Sequence, residues 1–125
     1  MKKLVSRSVI SLVIFAVFYL IPAPTAARAP SADGKAGLEV HKKNCARCHG
    51  EHGKGDGPAA KLLKTKPTDW SDKARMSSLS DQDLFKVISK GGEAAGKSKL
   101  MPPFGGKLSD QDIHNVIAFI RSLSK

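Results

Sequence analysis

The strongest pattern of apolar and polar positions lies near the C-terminus, where apolar residues recur at helical spacing. They are Ile113, Val116, Ile117, Phe119, Ile120 and Leu123. Such spacing places one apolar stripe along a helix that faces a core. The tetrapeptide Ser109-Asp110-Gln111-Asp112 precedes the stripe, and a serine cap followed by acidic residues favours a helix start. The pattern therefore predicts a C-terminal amphipathic helix that begins at Ser109.

A second unit of the same kind lies earlier in the chain. Ser80-Asp81-Gln82-Asp83 repeats the start signal, and Gly91-Gly92 supplies a stop. The residues that would face inward between these two signals are Leu84, Val87 and Ile88. Two units are too few to form a solenoid, so we interpret them as two similarly built helices.

Two shorter helices are predicted between residues 35 and 66. One covers Lys35 to about Ala46, and the other covers Pro58 to Lys66 with Leu62 and Leu63 as its apolar face. The segment between them, Gly50–Gly57, has four glycines in eight positions, which is typical of a loop. No run alternates with the period of a strand. The predicted fold class is therefore all-α, with short helices and long loops.

The first 27 residues have the pattern of a secretory signal. Three basic residues precede an apolar run of 13 residues, Val9–Ile21, and a stretch of small residues follows. A membrane-spanning helix needs about 20 apolar residues. We therefore divide the chain into a cleaved signal peptide (1–27), a flexible linker (28–34) and one domain (35–125). If Val9–Ile21 were not removed, it would instead tether the same domain to a membrane.

Charge and composition narrow the partners and the core. Three of the 21 basic residues and none of the 11 acidic residues fall within residues 1–27, so the remaining chain carries a net charge of +7. A basic exported domain favours acidic protein partners or anionic membrane surfaces over nucleic acid, and its charge favours a monomer. Only three Phe and one Trp remain after residue 27. Because small domains bury little surface, this composition indicates that something besides side chains fills the core.

The chain's two cysteines lie in one motif, Cys45-Ala46-Arg47-Cys48-His49. This Cys-x-x-Cys-His spacing is typical of covalent attachment of a c-type haem, with the histidine as an iron ligand. A Cys45–Cys48 disulfide would close a very small loop and leave His49 without a role. A zinc site would need further ligands, and a thioredoxin-like redox pair needs an α/β pattern. The candidates for such zinc ligands, His41, His52 and His114, do not show a paired spacing.

A sixth iron ligand is needed for an electron carrier, and the chain after residue 27 offers two methionines. Met101 lies in Leu100-Met101-Pro102-Pro103-Phe104-Gly105-Gly106, where prolines and glycines exclude helix and strand. A rigid loop presents a weak thioether ligand at a small entropic cost. Met76 lies just before a predicted helix start, and packing in the core is the simpler interpretation for it. Met101 is therefore the candidate ligand.

Taken in order along the chain, these features resemble the class I c-type cytochromes, which are small electron carriers. A helix, Cys45-Ala46-Arg47-Cys48-His49-Gly50, a glycine-rich loop, Met101-Pro102 and a C-terminal amphipathic helix follow one another between Lys35 and Leu123. The resemblance implies a cytochrome c-like fold around one haem c that is bound covalently through Cys45 and Cys48.

The resemblance also implies roles for individual residues. His49 and Met101 would coordinate the iron from opposite faces, and the Pro58 carbonyl would accept a hydrogen bond from His49. Trp70 would donate its indole N–H to a haem propionate, or else pack in the core. Gly37 would lie where the last helix crosses the first, with Phe119 beside it. One departure is His41, which stands where this family often has an aromatic residue and which would either stack or lie exposed.

The function that follows is single-electron transfer by a soluble periplasmic carrier, which is not an enzyme. Its partners would be acidic redox proteins, including membrane-associated oxidoreductases. Five lysines flank the candidate haem residues and could steer such partners: Lys42, Lys43, Lys97, Lys99 and Lys107. The rival function is a peroxidase or a gas sensor, which requires that Met101 leave the sixth position open or give it up easily.

Overall fold

The computed structural model describes residues 31–125, and within them the chain is helical with no strand. The α-helices are α1 (Gly34–Asn44), α2 (Ala46–His49), α3 (Lys73–Ser77), α4 (Asp81–Lys90) and α5 (Asp110–Leu123), and 3₁₀ turns cover Pro58–Leu62 and Glu93–Ala95. The all-α prediction is confirmed. The predicted signal peptide and residues 28–30 of the predicted linker lie outside the described residues, and the last linker residue, Gly34, is the first residue of α1. None of the helices in residues 31–125 combines the length and the apolar character that a membrane crossing needs.

The two predicted helix starts are both capping boxes. The Ser80 hydroxyl accepts from the Asp83 amide at 3.1 Å, and the Asp83 carboxylate accepts from the Ser80 amide at 3.0 Å. Ser109 and Asp112 form the same pair of hydrogen bonds at the start of α5. Each box satisfies two amides that a helix end would otherwise leave without partners. The sequence signal therefore located both helix starts correctly.

The central packing contact is between α1 and α5. Ile113, Val116 and Ile120 on α5 are at most 1% exposed, so the predicted stripe forms the middle of the core. At the crossing, a Cβ atom on Gly37 would lie 1.9 Å from the Asn115 carbonyl oxygen. The two helix backbones can therefore approach this closely only because residue 37 is glycine. The predicted Gly37 crossing is confirmed, although the atoms nearest to it belong to Asn115 and Val116, and not to Phe119.

The Arg121 side chain links the C-terminal end of α5 to the segment around α3. Arg121 forms an ion pair with Asp81, with a distance of 2.8 Å between Nε and Oδ1. Its guanidinium also donates to the Met76 carbonyl at 2.7 Å and to the Leu79 carbonyl. These bonds fix the turn between α3 and α4 against α5. Met76 and Leu79 line the cavity described below, so Arg121 stabilises one of its walls.

The predicted helix over Pro58–Lys66 is only partly present. A 3₁₀ turn covers Pro58–Leu62, and its buried residue is Ala60. Leu62 is 86% exposed, so its assignment to an apolar inner face was wrong. A 3₁₀ turn has about three residues per turn instead of 3.6, and this one ends at Leu62. The apolar face expected of an α-helix through Lys66 therefore does not form. Leu63, the other residue of the predicted face, lines the cavity.

Candidate functional site

The Cys-x-x-Cys-His motif forms its own short helix at the end of α1. The backbone turns at Cys45, whose amide donates to the His41 carbonyl at 2.8 Å, and α2 then carries Cys48 and His49. Cys48 and His49 donate their amides back to the Cys45 carbonyl at 3.1 and 2.9 Å. This compact turn brings the two thiols and the imidazole onto one short segment, as attachment to a single porphyrin requires.

The glycine-rich loop after His49 folds back onto this segment. The Gly55 amide donates to the His49 carbonyl at 2.8 Å, and the Gly57 amide donates to the Cys48 carbonyl at 3.2 Å. A Cβ atom on Gly57 would lie 2.5 Å from the carbonyl oxygens of Ala46 and Arg47. The loop can therefore pack against α2 only with glycine at position 57. Its hydrogen bonds hold the backbone on both sides of His49 in place.

A cavity of about 570 Å³ lies beside this motif. Cys45, Cys48 and His49 line it together with Met101 and Trp70. Most of the remaining wall is apolar, and its buried apolar members include Met76, Leu84, Ile88, Phe104, Val116 and Ile120. Cofactor cavities typically measure about 300–1,000 Å³ and are mostly apolar with a few placed polar groups. The size, the apolar wall and the donor set of two thiols, an imidazole and a thioether fit a haem.

The His49 imidazole is neutral at physiological pH. Burial, with a smaller contribution from nearby His41, lowers the pKa of His49 to about 4. A neutral imidazole has the free lone pair that an iron ligand needs. Of the two ring nitrogens, Nδ1 is buried without a hydrogen-bond partner, which leaves Nε2 as the nitrogen available to the cavity.

The Cys45 thiol has the character of a buried, unreactive group. Burial, followed by the neighbouring Cys48, raises the pKa of the Cys45 thiol to about 11. A redox-active or metal-binding thiol has instead a lowered pKa. The two cysteines form no disulfide, and the described residues contain no cluster of three or more His, Cys, Asp or Glu that could bind a metal ion. These observations disfavour the disulfide, zinc and dithiol alternatives.

Met101 lies on a loop that is attached to the C-terminal end of α4. The Gly92 amide donates to the Met101 carbonyl at 3.0 Å, and further along the loop the Phe104 amide donates to the Ile88 carbonyl at 3.0 Å. Gly91 has a φ of 84° and packs against the Met101 and Pro103 backbone. The sequence indicated Gly91-Gly92 only as a helix stop, and its second role in seating the methionine loop was missed. Met76 also lines the cavity, but it is 1% exposed and belongs to the buried core cluster.

Trp70 lies against His49 within the same cavity. The indole and imidazole rings are stacked, with centroids 4.3 Å apart and an interplanar angle of 21°. Trp70 is 6% exposed and belongs to the core cluster. The core alternative of the sequence analysis therefore describes what the structure shows, and the propionate role stays a prediction.

His41 and Pro58 have contrasting outcomes. His41 is fully buried, and its Nε2–H donates to the Gly50 carbonyl at 2.8 Å, so the exposed alternative was wrong. Its ring packs 5.0 Å from that of Phe119, which is the aromatic contact expected for this position. Pro58 is exposed, and in residues 31–125 no hydrogen bond joins it to His49. The bond from His49 to the Pro58 carbonyl therefore stays a prediction.

Basic side chains surround the cavity. The four that line it are Arg47, Lys66, Arg75 and Lys97, and among the described lining residues Asp83 is the one acidic member. Of the five lysines that the sequence indicated, only Lys97 lines the cavity, and Lys42 pairs instead with Glu39 at 2.9 Å. The sequence could not indicate Lys66 and Arg75 because they come from segments that only the fold brings to the cavity, whereas Arg47 lies within the haem-attachment motif itself and was missed.

Known proteins are similar to this chain in sequence and in architecture. A family model described as "Cytochrome C oxidase, cbb3-type, subunit III" matches residues 32–120. The chain belongs to this family of class I c-type cytochromes. This cytochrome is 36% identical over 124 residues to a cytochrome c6 of Picosynechococcus sp., across 96% of this chain and 92% of the relative. It is 30% identical over 93 residues to cytochrome c-554(547) of Halothiobacillus neapolitanus, across 74% of this chain and 99% of the relative.

A solved structure supports the fold of this cytochrome. The KustC0563 c-type cytochrome superposes with a TM-score of 0.59 at 21% identity, over 71% of this chain and 98% of that one. The family and the cysteine spacing together establish one haem c, bound covalently through Cys45 and Cys48. The similarity to cytochromes c6 and c-554(547) supports an electron carrier.

Proposed function

We propose that this cytochrome is a soluble periplasmic protein that carries single electrons between redox partners, with His49 and Met101 as its two iron ligands. The observation that carries the proposal is that one cavity is lined by both attachment cysteines, by His49 and by Met101. Bound haem supplies a one-electron iron couple. With both His49 and Met101 bound, the chain leaves no coordination position for a substrate, which favours a carrier over a peroxidase or a gas sensor.

The residues of the chain divide this task. Cys45 and Cys48 would hold the porphyrin in thioether bonds, and the neutral imidazole of His49 would donate its lone pair to the iron. The loop that is attached to α4 through Gly92 would present Met101. The apolar wall excludes water and so raises the reduction potential, as does methionine ligation. None of these groups has to move between oxidation states.

Charge supports an acidic partner. Four basic residues line the cavity that would receive the haem, against one acidic residue, and the chain after residue 27 has a net charge of +7. An acidic surface would be steered toward this side of the molecule, and the steering would weaken with salt. We also propose that residues 1–27 act as a cleaved export signal, as the order of basic, apolar and small residues indicates.

Small inorganic oxidants test the carrier function and the charge together. We expect reduced holoprotein to be oxidised by hexacyanoferrate(III), an anion, in one single-exponential phase whose rate falls as salt is added. For Lys97→Glu, the rate at low salt should drop by about threefold or more, because steering changes association rates by up to 10–10³-fold. The measurement is stopped-flow absorbance.

Lys125→Glu is the matched control for this experiment. It makes the same change in net charge at an exposed residue that does not line the cavity. An equal effect of both variants, or a rate that does not depend on salt, would contradict steering at the cavity. A second assay adds hydrogen peroxide and an electron donor but no redox partner protein. Sustained consumption of the donor would then indicate peroxidase activity and would contradict the carrier function.

A further inference from the structure

The plane of a ligating imidazole has to be fixed by something that touches it. In many metal sites a hydrogen bond at the second ring nitrogen does this. For His49, the predicted hydrogen bond to the Pro58 carbonyl would act in this way on Nδ1, which is buried. The face of the ring is covered separately by the Trp70 indole, at 4.3 Å between centroids and nearly parallel to it.

The indole itself is fixed from two sides. The Trp70 amide donates to the Gly53 carbonyl at 2.8 Å, and a Cβ atom on Gly53 would lie 2.5 Å from the indole Cε3. On another side, the buried His41 ring meets the indole at 5.4 Å and 64°, an edge-on contact. His41 in turn packs on Phe119 of α5. A continuous series of rings therefore runs from α5 to the His49 imidazole.

This arrangement leaves the imidazole little rotational freedom. The loop that carries Gly53 begins at Gly50, directly after His49, and His41 donates to the Gly50 carbonyl. The ring and the indole that covers it are thus anchored to the same short stretch of backbone. A stacked aromatic pair of this kind is attractive beyond its buried area, so it favours one ring orientation over others.

We propose that Trp70 is a positioning residue, whose indole face, held by Gly53 and His41, fixes the plane of the His49 imidazole. The inference rests on the proposed role of His49 as an iron ligand. Trp70 acts through His49 and does not need to touch the iron.

The test compares variants of the oxidised holoprotein by proton NMR of the haem methyl groups, whose spread depends on the imidazole plane, and by reduction potential. We expect Trp70→Leu to change the pattern of haem methyl resonances. We also expect the ratio of oxidised to reduced protein, measured at the midpoint potential of the wild type, to change by about threefold or more, because residues that contact a metal ligand affect the reduction potential of the metal. Trp70→Phe keeps a stacking ring and should retain most of the wild-type pattern.

Two glycine variants give a second route if Trp70→Leu fails to accumulate. Gly53→Ala pushes on the indole, whereas Gly96→Ala has a matching positive φ of 66° and nothing within 4 Å of its new Cβ. We expect the methyl pattern to change in the first and not in the second. Ile113→Ala, in the core and away from the cavity, controls for loss of stability alone.

The outcomes separate the two proposals. A wild-type spectrum that lacks low-spin iron would overturn His49 and Met101 as ligands. A low-spin wild-type protein whose methyl pattern and potential are unchanged in Trp70→Leu and in Gly53→Ala would overturn the positioning role only. A change in Ile113→Ala equal to that in Trp70→Leu would also overturn it, because the effect would then follow from stability.

Discussion

Replacing both Cys45 and Cys48 with Ala is expected to give a chain that carries no covalent haem and does not fold. Both residues line the cavity, and each is the sole source of one thioether bond. Without the haem, the apolar wall of a cavity of about 570 Å³ would be open to water. A small domain buries little surface of its own and a typical domain is stable by only about 5–15 kcal/mol, so loss of the contacts between this wall and the haem is expected to unfold the chain.

Intact mass and far-ultraviolet circular dichroism measure this prediction. The double variant should lack the haem mass and the helical signal that wild-type holoprotein shows when both are produced in a host that attaches haem c. A single Cys48→Ala variant is the informative intermediate, since one thioether and His49 remain to retain the cofactor. A double variant with native helix content and no haem would contradict the claim that the cofactor fills the core.

Gly37→Ala is expected to lower the free energy of unfolding by about 3 kcal/mol or more, because overpacking of a rigid contact forces backbone movement. The new Cβ would lie 1.9 Å from the Asn115 carbonyl oxygen and 2.9 Å from the Val116 amide nitrogen. These are backbone atoms of α5, so no flexible side chain can move aside. The gain in helix propensity from glycine to alanine, about 1 kcal/mol, is smaller than this cost.

Gly106→Ala is the matched control, because nothing lies within 4 Å of a Cβ at that position and its φ is not positive. It should leave stability unchanged or raise it by about 0.4–1 kcal/mol through the unfolded chain. Urea unfolding of both holoproteins, followed by circular dichroism, provides the comparison. Equal stability of the two variants would show that α1 and α5 do not cross at Gly37 as the structure has them.

The sequence was most informative where a signal is local. The serine-acid motifs at Ser80 and Ser109 located two helix starts because a capping box is complete within four residues. The apolar stripe on α5 identified the core residues of this helix because helical spacing by itself indicates which face is buried. The cofactor followed from Cys45, Cys48 and His49 because covalent attachment requires those residue types at that spacing.

The sequence was least informative where the deciding contact joins distant segments. Stacking of Trp70 on His49 depends on a loop that returns to Gly53, and nothing near Trp70 in the sequence indicates it. The burial of His41 likewise depends on Phe119, far along the chain. At Leu62 the local pattern suggested an α-helix, but the turn that formed is 3₁₀ and placed this side chain in solvent.

Binding of carbon monoxide to the reduced protein tests most directly whether His49 and Met101 close the iron to other ligands. Wild-type holoprotein should show sharp low-spin bands when reduced, a weak red sulfur-to-iron band when oxidised, and no spectral response to carbon monoxide. Met101→Ala should lose the red band and bind the gas, since the sixth position is then open. Rapid binding of carbon monoxide by the wild-type protein, with high-spin bands, would contradict the carrier function and favour a sensor or a peroxidase.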